Sequence, residues 1–525
     1  MPLIIRNIRA PLDAGEKQLR QQVLPLIGAT AAIKSLIVLR KSIDARKKPH
    51  IIGVYTVRVE VDNEGDLCKT LLPHPEIEQV PLEAPMHFTR VETKEKIVIA
   101  GFGPAGMFCA LRLAAYGVPC TVLERGKPVS ERVKDVGLLW GRGILDCQSN
   151  VQFGEGGAGT FSDGKLTCRV KDPNTGWVLE QLVRFGAPEV IRYQAKAHIG
   201  TDRLRKVVTR LREHLQEQGC TIRFSSCMSE LSITNSMVSS VHLPDGDELT
   251  CDRLVLAIGH SARDTYHMLL SRGVVLEAKP FAVGLRVEHP QQLINQIQYG
   301  TSHHPLLGSA EYALTWNDLA SGRSCYSFCM CPGGTVIAGS SEVGMVVTNG
   351  MSNHDRNSGI ANSALVVSVR PEDFDQKDPL SGVRFQQDLE SRAFIAGGGE
   401  YHAPVQNMMT FLGGKGGECH SSYRPGTKYC DLQTILPDYV SLGLRQGITA
   451  FDRKMRGFKT IEATLTGVET RTSAPVRIPR GESGESVAIG RLYPCGEGAG
   501  YAGGIMSAAL DGIRIADTIV ASLKH

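Results

Sequence analysis

Three glycines and one acid carry the clearest chemistry in the sequence. Gly101, Gly103 and Gly106 keep the G-x-G-x-x-G spacing within KIVIAGFGPAGMFCALRLAAYGVPCTVLERG, and Glu124 follows eighteen residues after the last of them. Gly101 suits a tight turn, Gly103 a close approach of backbone to a pyrophosphate, and Gly106 a close helix–strand contact. Pro104 and Ala105 open a helix at a position where an N–H would be unpaired anyway. The positive end of that helix aims at the phosphates. Glu124 can accept both hydroxyls of an adenosine ribose and would repel a 2′-phosphate, which argues against NADP at this point; Arg125 follows it. A glycine triplet alone is a weak signal. With strand, helix, second strand and acid in register, a dinucleotide site is the expectation.

The kind of dinucleotide turns on a distant segment, RLYPCGEGAGYAGGIMSAALDGIRIADTI. It reads as a strand at Leu492–Cys495, a turn at Gly496 and Glu497, and a helix starting near Gly503, Gly504 and Ile505. The turn lets an acid approach a ribityl chain. The helix start presents N–H donors towards the pyrimidine edge of an isoalloxazine, where negative charge gathers on reduction. Simple NAD enzymes do not need this contact, so FAD is expected. LVLAIGHSA (Leu254–Ala262) adds a buried strand that ends at Gly259. His260 after it is read as a turn residue near the adenosine half rather than as an acid–base group.

Several elements must hold these segments in place. Residues 1–90 read as a small α/β module: strands at Pro2–Ile8, Ser35–Leu39 and Ile51–Val61, a helix at Glu16–Leu26, and a basic turn, RKSIDARKKPH, between the last two strands. A proline-containing linker, about Leu72–Phe88, leads out of it. Residues 91–280 hold the strand–helix–strand start, a largely helical region at Trp177–Gln218, short strands over Thr221–Leu249 and a buried strand at Asp252–Ile258. Residues 281–458 mix strands with glycine-rich loops. Residues 459–525 return to strand, glycine turn and helix, so the outer parts read as one domain interrupted by another.

Composition sets outer bounds. A length of 525 residues suggests roughly three units, and the 42% hydrophobic content is ordinary for a globular chain. A formal charge of +4 gives no reason for a global attraction to nucleic acid or membrane. The apolar stretch Ile97–Leu123 is broken by glycines, Pro104 and Arg112, and is read as strand–helix–strand rather than a span. The start lacks the apolar core of a secretory signal. With 14 cysteines as free thiols, a cytoplasmic location is expected.

On these residues the chain resembles a group of FAD-dependent dehydrogenases of unassigned substrate, found in bacteria and plastid-bearing eukaryotes, within the glutathione-reductase-like FAD/NAD(P)-binding flavoprotein class. The resemblance covers nearly the whole chain. It is most specific at SNVQFGEGGAGTFSDGKL (Ser149–Leu166), AIGHSARDT, YSFCMCPGG, NGMSNHDRNSGIANSALVV, GVETRTSAPVRI and the C-terminal glycine segment. Glu497 stands where the wider class has Asp, as in the narrower group. The implied fold is α/β: a glutathione-reductase-like FAD-binding Rossmann domain interrupted by a mixed α+β substrate domain, with the N-terminal module attached. The resemblance also implies that the loop Gly154–Thr160 passes the flavin. Gly157 then lies against the ring, and Ser162 and Lys165 are the nearest polar groups. A lysine there would favour reduced, anionic flavin; the alternative is a glycine loop with a solvated lysine.

The electron donor is open. No second strand–GxGxxG–helix unit is present, and GGKGGE at Gly413–Glu418 lacks phosphate-loop spacing. Either NAD(P)H docks transiently or the substrate, a small organic molecule, is the reductant. Lys165 and Arg471 are the candidate catalytic residues. Arg471 offers a planar fork for an anionic substrate, or else a structural ion pair. Cys325, Cys329 and Cys331 lack the spacing of a redox pair or a zinc site and are read as buried thiols on a strand, so no metal is expected. Arg40, Lys41, Arg46, Lys47 and Lys48 have few aromatic neighbours. They are read as a solvated turn, and neither nucleic acid nor membrane is an expected partner. Two alternatives remain: a flavoprotein that grips RNA through its first module, and a flavin-bound assembly factor without turnover.

Overall fold

The computed structural model describes residues 2–28, 32–62, 74–81, 86–168 and 171–523. Among them, strands from distant parts of the chain form a parallel five-stranded sheet in the order Leu492–Pro494, Arg253–Leu256, Ile97–Ala100, Thr121–Leu123 and Thr221–Arg223. Both faces of this sheet are covered, which is why its strands read as unbroken apolar runs. Ile97 and Ile99 point into one core with Phe108, Val208 and Ile513, while Val98 and Ala100 point into another with Leu254, Tyr266 and Leu492. The apolar stretch singled out in the sequence is thus a strand, the helix Pro104–Ala115 and a second strand.

The second large layer is a mostly antiparallel seven-stranded sheet. Its order is Thr315–Asn317, Ser324–Cys331, Ile360–Val369, Phe281–Pro290, Thr464–Glu469, Ala403–Asn407 and Thr427–Tyr429. The strand Thr464–Glu469, which sequence pattern grouped with the final section, pairs here with both Phe281–Pro290 and Ala403–Asn407. Its six buried residues give a local pattern no different from that of a parallel-sheet strand, so only long-range pairing distinguishes them. The helix Asp438–Lys454 packs through Val440, Leu444, Ile448 and Phe451 onto this sheet's core.

The first part of the chain forms a four-stranded antiparallel sheet, ordered Ile33–Asp44, Ile52–Val61, Leu3–Ala10 and Ile77–Gln79, with Leu19, Val23 and Ile27 of the helix Glu16–Ile27 in its core. Two expectations change. Arg40 and Lys41 belong to the strand Ile33–Asp44 and not to a turn, because that strand continues pairing with Ile52–Val61 through Asp44. The stretch taken as a linker contains the edge strand Ile77–Gln79, paired with Leu3–Ile5; its residues 72–73 and 82–85 lie outside the described residues. Lys41 also ties this sheet to the rest of the chain. Its N–H donates to the Tyr193 carbonyl at 2.7 Å, and its carbonyl accepts from Ala195 at 2.9 Å. Lys48 reaches the carbonyl of Ile297, while Arg46 pairs with Asp44. No helix among the described residues is long and apolar enough to cross a membrane.

Candidate functional site

The carboxyl ends of the parallel strands open into a cavity of about 650 Å³, within the usual range for small-molecule sites. The expected glycines shape its near end. Gly101 has φ +106, and a Cβ there would lie 2.3 Å from the Ala257 carbonyl oxygen; a Cβ on Gly106 would lie 2.0 Å from the Gly101 oxygen. Gly103 caps the helix Pro104–Ala115 and faces Gly157 across the cavity wall: a Cβ on Gly157 would come within 3.0 Å of Gly103 Cα. Backbone therefore meets backbone where a phosphate chain could lie against the helix start.

Glu124 is buried at the end of the second strand. Its carboxylate accepts the N–H groups of Phe102, Gly126 and Gly154 at 2.8, 3.0 and 2.9 Å. Those bonds hold the glycine turn, the second strand's exit and the start of the Gly154–Thr160 loop to one point. Arg125 stacks on Phe153 at 4.3 Å and donates to Asp264 and Thr265.

The far segment arrives from the C-terminal side. The turn after Leu492–Pro494 has Gly496 at φ +75, and the Gly496 N–H donates to buried Asp511 at 2.8 Å. Asp511 also holds Arg480 at 2.6 Å. Neither residue carries a sequence signal, because an acid inside a helix reads as surface. The helix Ile505–Leu523 lies on the helix Pro104–Ala115, with Gly512 pressed against the Ala105 carbonyl: an added Cβ would be 2.1 Å away. A Cβ on Gly259, Gly503 or Gly504 would meet no atom within 4 Å, so these three border open space. Gly101, Gly103, Glu124, Gly157, Gly259, Glu497 and Ile505 all line the one cavity. An elongated cofactor with a phosphate middle fits this lining: close backbone at its centre, open glycines and a helix start at one end, an anchored acid at the other.

Glu497 stands in the wall with His260 beside it, Nδ1 to Oε1 being 3.6 Å. His260, expected near the adenosine half, is thus a neighbour of the acid on the other segment. Burial, then Arg471 and Arg263, press its imidazole down to about 3, so it is neutral, and its Nε2 has no hydrogen-bond partner among the described residues. Burial pushes the Glu497 carboxyl up to about 7, opposed by Lys279.

The two candidate catalytic residues are placed differently. Arg471 lines the cavity, but its guanidinium is engaged by Glu390 at 3.0 Å, Glu342 at 3.4 Å and the hydroxyls of Ser261 and Ser341. That is the ion-pair alternative. Lys165 also lines the cavity and is not a solvated lysine; it contacts the Asp163 carboxylate and the Met330 carbonyl. Ser162 closes its own loop, donating to the Gly159 carbonyl at 2.7 Å and accepting from the Gly164 N–H.

Sequence reasoning missed Asp163, Arg356 and the Arg286–Glu469 pair. Arg286 is fully buried, with Glu469 at 3.1 Å and the Cys329 carbonyl at 2.7 Å. Cys325 and Cys331 are buried, but Cys329 is exposed on the cavity wall, a correction to the three buried thiols. It sits at φ +41, where the strand Ser324–Cys331 slips register against Ile360–Val369, and such a bulge re-aims a side chain.

Three comparisons bear on this site. The family described as "FAD-dependent protein, C-terminal domain-like" matches residues 280–472, and a domain of unknown function matches residues 1–60. An uncharacterized protein of Clostridium beijerinckii is 46% identical over 531 residues, which is 99% of each chain. Among solved structures, the tetracycline destructase Tet(51) is 12% identical, with 82% of each chain covered and a TM-score of 0.35. The flavin-dependent brominase Bmp2 is 11% identical, with 82% of this chain and 79% of that one covered and a TM-score of 0.36. Scores at this level carry no argument about fold or activity.

Proposed function

Because the chain belongs to one family with the Clostridium beijerinckii protein and includes an FAD-dependent domain, we propose that it is an FAD-dependent oxidoreductase acting on a small organic substrate. The observation that supports this most is a single cavity joining the Gly101–Gly106 turn to the Gly496–Ile505 segment. FAD bound there would supply two-electron hydride chemistry. Gly103, Pro104 and Ala105 would take its phosphates, Glu124 and Arg125 its adenosine end, and Glu497 and the helix start at Ile505 its other half. The loop from Gly157 to Lys165 walls the cavity between them, and the seven-stranded sheet closes it over Phe328–Cys331.

Protein residues do the remaining work. The Arg263–Glu390–Arg471 cluster fixes the chain after Gly259, and burial, helped by Arg471 and Arg263, keeps His260 neutral. Lys165 keeps an ammonium group on the wall, where it favours developing negative charge. The parallel sheet, in this reading, is a Rossmann-type unit shared by residues 91–280 and the part of the chain after the strand Thr464–Glu469, with a substrate domain between. NAD(P)H as a transient donor belongs to the same proposal, as does a cytoplasmic setting.

The test is direct. Protein made with ample riboflavin should purify yellow or take up added FAD. Under anaerobic conditions, NADH or NADPH should bleach it within minutes if a nicotinamide is the donor. Protein that stays colourless with excess FAD would end the proposal; failure to bleach would move the donor role to the substrate.

A further inference from the structure

Beyond the proposed flavin grip, the cavity wall has an imbalance of charge. Asp163 is buried, and its carboxylate serves two cations at once: Lys165 Nζ on one oxygen, and Arg356 through Nε at 3.0 Å and Nη2. Ser352 donates to the same carboxylate. All three ionic side chains meet at the cavity. Other charges on this side are matched one to one, Arg286 with Glu469 at 3.1 Å and Lys196 with Glu311 at 2.7 Å. His198 adds nothing, since burial, then Arg356, presses it down to about 4. Asp202 and Asp355, the nearest other acids on these segments, are exposed and off the wall. One positive charge is left over in a confined space, where it is poorly screened.

The arginine is placed there by a constrained backbone. Arg356 has φ +50, uncommon for a residue with a side chain. Its carbonyl presses on Gly333, where a Cβ would sit 1.7 Å from the Arg356 oxygen, and it accepts from Ser309 Oγ at 2.7 Å. Two guanidinium nitrogens go to Asp163, while Nη1 has no hydrogen-bond partner among the described residues. Lys165 likewise has donor capacity beyond its two contacts.

We propose that this end of the cavity is a subsite for a substrate carboxylate, taken jointly by Arg356 and Lys165. The inference rests on the cavity being a flavoenzyme's substrate site and names the substrate's class. A carboxylate suits the charge better than a phosphate: the one excess cation left by Lys165, Arg356 and Asp163 balances a monoanion, whereas a dianion would bring one negative charge more than the wall can match. Phe328 and Met330 beside it favour an acid with an apolar body.

Calorimetric titration with benzoate, benzamide and inorganic phosphate tests this on the protein as purified, with and without FAD. Benzoate should bind, with benzamide and phosphate at least tenfold weaker. Arg356→Gln should weaken benzoate at least tenfold, and Arg356→Lys should restore it to within threefold. Should Arg356→Gln fail to fold, Lys165→Met gives the same reading with the Asp163–Arg356 pair intact. Absent benzoate binding, equal binding of benzamide, tighter binding of phosphate, or indifference to the charge change would overturn the subsite. A colourless protein that still binds benzoate through Arg356 would sink the flavin reading and leave the anion site standing.

Discussion

Arg471 Nη2 lies 3.0 Å from Glu390 Oε2, and Arg263 closes on the same carboxylate at 2.8 Å, with all three side chains buried. The cluster joins three separate pieces: the start of the helix Arg263–Ser271 that follows the parallel strand Arg253–Leu256, the helix Ser381–Ala396 and the exit of the antiparallel strand Thr464–Glu469. It is the ionic clasp between the two large sheets.

Removing the acid leaves two buried guanidinium groups to share Glu342 on the rim as their one remaining carboxylate partner among the described residues. Glu390→Ala should cost about 3–5 kcal/mol, seen as a lower urea midpoint, while Glu342→Ala, half-exposed on the rim of the cluster, should cost much less. Equal losses would mean that the cluster is not the junction described.

The same acid sets a pH response. Burial pushes the Glu390 carboxyl up, but Arg263 and Arg471 outweigh it and pull the group down to about 2 from an ordinary 4.5. Its stabilisation is therefore complete above pH 4.5 and fades as pH falls towards 2, a loss of about 3 kcal/mol. Glu497 has the opposite sign: raised to about 7, it stabilises the FAD-free fold below pH 4.5 and loses that contribution as pH rises to 7. Chemical denaturation across pH should show Glu497→Gln flattening the upper window and Glu390→Gln the lower.

Backbone crowding predicts which glycines matter. Gly106→Val would push side-chain atoms into the Gly101 carbonyl, and Gly157→Val into Gly103. Both should purify with at least tenfold less flavin per chain. Gly137→Ala, in the helix Val129–Arg142 with open space around it, should leave flavin content unchanged and stabilise by about 0.5–1 kcal/mol. Flavin-to-protein absorbance ratios separate the outcomes.

Glu124 gathers three backbone N–H groups. Glu124→Gln keeps one acceptor oxygen but turns an NH₂ towards donors, so an unmade bond costs about 1–3 kcal/mol. FAD affinity should fall about 10–100-fold, and Glu124→Asp should do no better, its shorter chain failing to reach Phe102 and Gly154 together. Fluorescence titration of flavin into the stripped protein reads this.

Much of the parallel sheet was legible because its logic is local. Ile97–Ala100, Gly101–Gly106 and Glu124 lie within thirty residues, and their spacing alone implies strand, turn, helix and acid. Gly496 and Glu497 could be read for the same reason. The opposite wall could not. Asp163 meets Arg356 across almost two hundred positions, and nothing periodic links them. Arg471 looked equally suited to a ligand or an ion pair, since a sequence cannot show Glu390 waiting for it. Cys329 was misjudged because strand alternation gives no warning of a bulge that turns a thiol outwards. Lys41 was placed in a turn since basic residues beside Pro49 resemble one, whereas cross-strand pairing carries the strand on to Asp44.

The ordering of the parallel sheet has a consequence for biosynthesis. Its middle strand is finished by residue 100, yet one edge is not made until residue 494, after every strand of the antiparallel sheet has been synthesised. Long-range pairing of this kind is slow and exposes apolar surface meanwhile. Nascent chains halted short of that edge would leave one side of the strand Arg253–Leu256 unpaired and would lack the Glu497–Ile505 wall of the cavity.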